Sequence, residues 1–178
     1  MWSKTKKGLN DRLAYSLRNR VSYQFEVFRT NAGNKTKMRV FSIVADGKII
    51  FVSNPKARAV ECDFVNEQTE KLQKQYPKHD IFKLREQYHV YTEAENIVFK
   101  EIGMKCVDDC MRNISYYLTT ADFDECLKAD NYFLYVLALL DRRLGKRRLK
   151  EIVKRMEEEP EWLKRFIYLR AEAEQIKV

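Results

Sequence analysis

Met38-Arg39-Val40-Phe41-Ser42-Ile43-Val44-Ala45-Asp46-Gly47-Lys48-Ile49-Ile50-Phe51-Val52-Ser53 is the stretch that decides the fold. Two apolar, β-branched runs, 38–45 and 48–53, flank an Asp-Gly pair. A two-residue type I′ turn needs positive φ at both central positions, and Asp-Gly meets that need at little steric cost. The segment therefore predicts an antiparallel hairpin. Upstream, Val21, Tyr23, Phe25 and Val27 alternate with Ser22, Gln24, Glu26 and Phe28, which is the period of a half-buried strand. Asn31-Ala32-Gly33-Asn34-Lys35 reads as a polar turn between them. Three antiparallel strands in meander order follow.

Working outward, Leu9, Leu13 and Leu17 recur every four residues and predict an amphipathic helix over about 5–18. After the strands, Asn54-Pro55 supplies a cap and a first helical residue, and Val60, Phe64 and Leu72 suit a helix that ends before Pro77. Residues 80–101 accommodate one helix, two helices or a helix plus a strand, with Thr92 and Glu95 as a capping box. Beyond Gly103 the periodicity is helical throughout. Val107, Met111, Ile114 and Leu118 form one stripe, and Thr120 is positioned to cap a short helix carrying Phe123 and Leu127. Asp130 is positioned to cap another that runs through Phe133, Val136, Leu137, Leu140 and Leu144 to a C′ glycine at Gly145. Leu149, Ile152, Val153 and Met156 mark the next, and Pro160 opens the last, with Trp162, Phe166, Leu169 and Ala173 on one face. A three-stranded sheet cannot build an independent core. The expected architecture is thus a single α+β domain over 1–178, with a helix and meander sheet (1–53) covered by a mainly helical part (54–178).

Composition supports a folded chain. Of 178 residues, 45% are hydrophobic and 12% aromatic, with few Gly and Pro, so burial can offset conformational entropy. The basic opening is followed by Leu9-Asn10-Asp11-Arg12 rather than an apolar stretch, so no signal peptide is expected. The longest apolar run, Tyr132 to Leu140, is less than half of what a membrane-crossing helix needs, so no membrane association is expected. Cys62, Cys106, Cys110 and Cys126 then imply free thiols in a reducing, cytoplasmic compartment. Only Cys106 and Cys110 form a close pair, and His79 and His89 add no second one. Zinc frameworks pair close ligands twice, so the cysteines read as small buried hydrophobes, with no metal and no cofactor.

Charge is the most distinctive feature. Lys and Arg number 34 against 26 Asp and Glu, a net +8. Residues 142–155 hold eight basic side chains against Glu151 alone, and Lys4, Lys6, Lys7, Arg12, Arg18 and Arg20 face only Asp11 in the first 20 residues. Both segments attract polyanions. In Asp141-Arg142-Arg143-Leu144-Gly145-Lys146-Arg147-Arg148-Leu149 the basic residues flank a helix break, where free backbone N–H groups and the helix dipole favour anions. Arg142, Arg143, Lys146, Arg147, Arg148 and Lys150 are therefore the candidate anion-binding residues. The plainer reading has cations offsetting the preceding helix's dipole, and Arg147, Glu151 and Arg155 pairing at i,i+4 on a solvated face. A helix-turn-helix is disfavoured, since the turn is short and the second helix lacks Asn or Gln to read bases. Aromatics on the strands can stack single-stranded bases, but on a helix-covered sheet they belong to the core. No Gly-rich phosphate loop, nucleophile elbow or H-E-x-x-H occurs. His79-Asp80 is an isolated dipeptide, and Asp108-Asp109 sits where acids favour a helix N-terminus.

The opening Met-Trp-Ser-Lys-Thr-Lys-Lys with Leu9, Arg12 and Leu13, the Asp46-Gly47-Lys48 hairpin and the segment from Ala129 through Leu149 resemble a family of small uncharacterised bacterial proteins. That family shares a basic opening helix, an Asp-Gly-Lys hairpin and a closing Asp-Arg-Arg-x-Gly-Lys-Arg segment. The resemblance implies a bacterial, cytoplasmic protein and brings no activity or site residue with it. The function expected is a non-enzymatic interaction protein that binds a protein partner or its own copy. The alternative is a nucleic-acid or phosphate binder acting through 142–155.

Overall fold

Asp46 and Gly47 have φ of 49° and 76°, both positive, so the hairpin turn takes the form its residues favour. In the computed structural model the described residues are 2–29, 37–53 and 99–178, together with Asp63, Asn66, Glu67, Glu70, Lys71, Lys74, Thr92, Glu93, Asn96 and Ile97. β1 (Val21–Arg29), β2 (Lys37–Ala45) and β3 (Lys48–Val52) form an antiparallel sheet in the order β1-β2-β3. β1 and β2 pair without interruption from Val21↔Ala45 to Arg29↔Lys37. Between β2 and β3 the register shifts after Val44↔Ile49, so Ile43 faces Phe51 rather than Ile50. This bulge turns Phe51 inward beside Ile43.

α1 (Trp2–Arg12) packs on β1 and α2 (Val107–Thr119) on β2, and α3 (Phe123–Cys126), α4 (Tyr132–Leu140), α5 (Lys146–Lys154) and α6 (Glu161–Ala173) follow α2 in the chain. A further helical stretch ends at Ile102, and Tyr15–Leu17 and Met156–Glu158 are 3-10 turns. α4 contains the apolar run of the sequence and is buried from Phe133 to Leu140 apart from half-buried Tyr135. A helix apolar all round has to be central. It carries Phe133 against Phe41 of β2 and Phe51 of β3, at ring separations of 6.2 and 5.4 Å, and it also packs on α2, α3 and α6. Phe99 completes this aromatic centre and leads to Trp162 of α6. Sheet and helices share one apolar cluster. The α+β reading is thus the fold observed.

Two helix boundaries differ from the periodicity. The expected helix over 5–18 runs from Trp2 to Arg12 and stops there. Leu13 forms an isolated antiparallel bridge with Asp141, with Ala14 N–H donating to Leu140 O (2.9 Å) and Arg142 N–H to Arg12 O (2.7 Å). Leu17 is still buried, but a 3-10 turn places it. The same bridge ends α4 at Leu140, so Leu144 leaves that helix, and Gly145 at φ −76° is the N-cap of α5 rather than a C′ residue. Caps also move. Asn131, not Asp130, accepts from the Phe133 and Leu134 amides, and Asp122, not Thr120, caps α3.

The 31–35 turn, the Thr92–Glu95 capping box, the alternatives for 80–91, Cys62, His79 and His89 lie outside the described residues. The described positions between Asp63 and Lys74 are helical, as the pattern there predicts. Among the described residues no helix is long and apolar enough to cross a membrane.

Candidate functional site

The Leu13–Asp141 bridge places Asp141 inside the protein, with 1% of its surface exposed. Its carboxylate accepts from Tyr117 Oη of α2 (2.5 Å), the Arg143 amide (2.8 Å), and Arg143 Nε and Nη2 (3.1 and 2.8 Å). The Arg143 guanidinium lies over the Phe123 ring at 4.6 Å. Arg12 of α1 comes from the opposite side, donating to Tyr117 O (2.5 Å) and Leu118 O (2.9 Å), two carbonyls in the last turn of α2. Burial, and then the Asp141 charge, pushes the Tyr117 phenol above its ordinary pKa, while the hydrogen bonds to Asp141 raise that of Arg143. Arg143 is therefore fastened to the buried Asp141 while 39% of its side chain stays exposed.

A second cation lies close by. Arg170 of α6 is 2% exposed, donates to Leu144 O (3.0 Å) and pairs with Glu174 (3.3 Å), yet its Nε and Nη1 find no acceptor among the described residues. Desolvation lowers its pKa. Glu174 also accepts from Ser16 Oγ (2.7 Å), and Lys146 Nζ donates to the Glu174 carbonyl (3.1 Å). The Tyr15–Leu17 turn, the start of α5 and the end of α6 are therefore tied together.

The six candidates separate into two groups. Arg143 is committed to Asp141, Lys146 to Glu174 and Arg148 to Asp124 of α3. Arg142, Arg147 and Lys150 point outward. Arg142 Nη1 donates to Tyr15 Oη at 3.2 Å, and Arg147 and Lys150 pair with no carboxylate among the described residues. Glu151 is taken by Lys154 at 2.8 Å, so the expected i,i+4 pairs with Arg147 and Arg155 do not form. α5 begins at a glycine without a side-chain cap and has no acid in its first turn. Its positive dipole end and three cations repel one another, a repulsion that a bound anion relieves.

Tyr15 was not found from the sequence, whereas Arg18 belongs to the basic opening segment. Tyr15 is 67% exposed, takes the Arg18 guanidinium over its ring at 4.3 Å and meets Arg142, 127 residues away in the chain. The only local hint was an aromatic side chain falling outside the Leu9/Leu13/Leu17 stripe. The surface that emerges is Tyr15, Arg18 and Arg142, with Arg147 and Lys150 on the helix that follows.

Cys106, Cys110 and Cys126 are buried, and Cys106 Sγ donates to Asp109 at 2.9 Å. Asp108 pairs with Arg39 (2.7 Å) and Asp109 with Arg112. Tyr23, Phe41 and Phe51 belong to the core and Phe25 packs on Trp2, while Phe28 at the far end of β1 is 49% exposed.

These features define a class: an α+β protein in which a buried Asp-Arg-Tyr fastening supports a basic, tyrosine-bearing outer surface. The chain belongs to the SF0329 protein family, whose model matches residues 1–171 and so spans both strands of the Leu13–Asp141 bridge. No curated protein and no solved structure matches it.

Proposed function

We propose that the chain is a non-catalytic interaction protein of the bacterial cytoplasm that docks an acidic segment of a protein partner on Tyr15, Arg18, Arg142, Arg147 and Lys150. The observation that carries this reading is the Tyr15–Arg142 contact, which builds one exposed Tyr/Arg patch from two distant segments. Tyr and Arg are the side chains enriched at the energetic centres of protein interfaces. A long phosphate track fits less well, because Asp124, Glu151 and Glu174 already occupy three neighbouring cations. Glu157-Glu158-Glu159 of a second copy is one acidic segment of the kind required. Phosphate binding is the second reading, favoured by the uncapped start of α5 beside unpaired Arg147 and Lys150.

The test is the triple variant Arg142→Glu, Arg147→Glu, Lys150→Glu, which keeps Arg143 because that residue holds the core. Proteins that co-purify with the native chain are identified by crosslinking, and light scattering measures self-association. Loss of the crosslinked partner, or of the dimer, in a folded triple variant supports the proposal. Retention of every partner by the variant overturns it. Salt-dependent binding of a short RNA that the variant loses, with partners unaffected, transfers the site to phosphate.

A further inference from the structure

Away from this surface, the turn after α3, the first turn of α4 and the Met156–Glu158 turn enclose a cleft of about 270 Å³. Its half-buried lining is Leu127, Ile152, Tyr132, Tyr135 and Glu159. The two tyrosine rings stand 6.3 Å apart at 71°. The exposed lining carries Asp130 and Glu158 against Lys128 and Arg155, two charges of each sign that largely cancel at the rim. Glu159 therefore sets the sign of the interior. Its carboxylate has no hydrogen-bond or ion-pair partner among the described residues, and burial pushes its pKa up, with Lys100 acting in the opposite direction.

Tyr132 separates this cleft from a neighbouring one of about 480 Å³ lined by Lys100, whose ammonium lies over the Tyr132 ring at 5.4 Å. The Tyr132 ring thus already holds one alkylammonium within the protein. Two aromatic rings, the aliphatic Leu127 and Ile152 side chains and a half-buried carboxylate together recognise a cation on a carbon stem.

We propose that the cleft binds a primary alkylammonium group, with the carbon stem against Leu127 and Ile152, the Tyr132 and Tyr135 rings beside it, and the ammonium on Glu159. The chemistry is shared by a free diamine and by the lysine side chain of a protein. The cleft shares no residue with the Tyr15–Arg142 surface, and the two meet only if Glu157-Glu158-Glu159 of a second copy occupies that surface.

The test is an amide-resolved NMR titration of the full chain with three probes: cadaverine, Nα-acetyl-lysine methylamide and the uncharged Nα-acetyl-norleucine methylamide. Saturable shifts confined to 127–135 and 152–159 are expected with the first two and not with the third. Glu159→Gln weakens binding about tenfold or more, the scale of a lost charge-assisted hydrogen bond. Tyr135→Leu, checked for fold by circular dichroism, weakens it independently. Tighter binding of the lysine amide assigns the site to a protein side chain, and tighter binding of cadaverine to a free amine. Equal response to norleucine, an unchanged Glu159→Gln titration, or no saturation by about 10 mM overturns the proposal.

Discussion

Asp141 is the residue on which the junction turns, because a buried carboxylate requires compensation and here receives it from one phenol, one amide and one guanidinium. Asp141→Ala leaves Arg143 without its counter-charge and Tyr117 without its acceptor. Removing one partner of a buried pair costs roughly 3–5 kcal/mol, and since Arg143 keeps 39% of its side chain exposed the lower end applies. Urea denaturation of Asp141→Ala checks this, and a loss below about 1 kcal/mol would mean that the network is not structural. Gly103 makes a second residue-level demand. Its φ is +64°, and an added Cβ would lie 2.7 Å from the Trp162 ring. Gly103→Ala is expected to cost about 1–3 kcal/mol from left-handed strain plus displacement of the indole, read by the unfolding midpoint and by Trp162 fluorescence. Neither role was legible beforehand. Asp141 read as the first letter of a basic motif, since its neighbours in sequence give no sign that a bridge buries it.

Among the elements, the hairpin was legible and the helix ends were not, for one physical reason. Turn chemistry at Asp46-Gly47 is local, involving two residues and their own φ angles, whereas α1 and α4 are both ended by the Leu13–Asp141 bridge between segments more than a hundred residues apart. The Leu9, Leu13 and Leu17 spacing correctly marked what is buried but not the conformation that buries it. Of the six exposed junction residues, three find partners on α2, α3 and the end of α6, which spacing along the chain cannot show. Arg12 makes the clearest contact between elements, since it satisfies two carbonyls at the C-terminal end of α2 and places a cation at the negative end of its dipole. Arg12→Ala is expected to cost about 1.5–3 kcal/mol, the range for hydrogen bonds to a charged group. Arg12→Lys restores only part of this, because an ammonium lacks the fork that reaches both oxygens. Equal stability of the Ala and native chains in guanidinium denaturation would remove α1 from the set of elements that hold α2.

For the whole molecule, the apolar core and the basic surface meet at tyrosines, and alkaline pH tests how they are joined. Tyr23 is 2% exposed and Tyr117 1%, and both phenols titrate well above their ordinary value of 10.0, chiefly through desolvation and then through the Asp141 charge. A phenol with a raised folded pKa binds its proton more tightly in the native state. The stability linked to each is therefore complete below about pH 10 and falls as pH rises past that point, when the unfolded chain ionises and the folded one does not. The slope is about 1.4 kcal/mol per pH unit for each group, or roughly 3 for the pair. Denaturant unfolding from about pH 8 to about pH 11 should show no loss from these groups below pH 9 and a steep decline beyond pH 10. Phenolate absorbance should rise with unfolding rather than before it. Tyr117→Phe removes one ionisable group but leaves Tyr23 and Tyr135, whose phenol pKa burial also raises, so about two-thirds of the slope should remain in that variant. An undiminished slope in Tyr117→Phe, or phenolate absorbance from all ten tyrosines in the still-folded protein near pH 10, would show that neither ring is held neutral by the core.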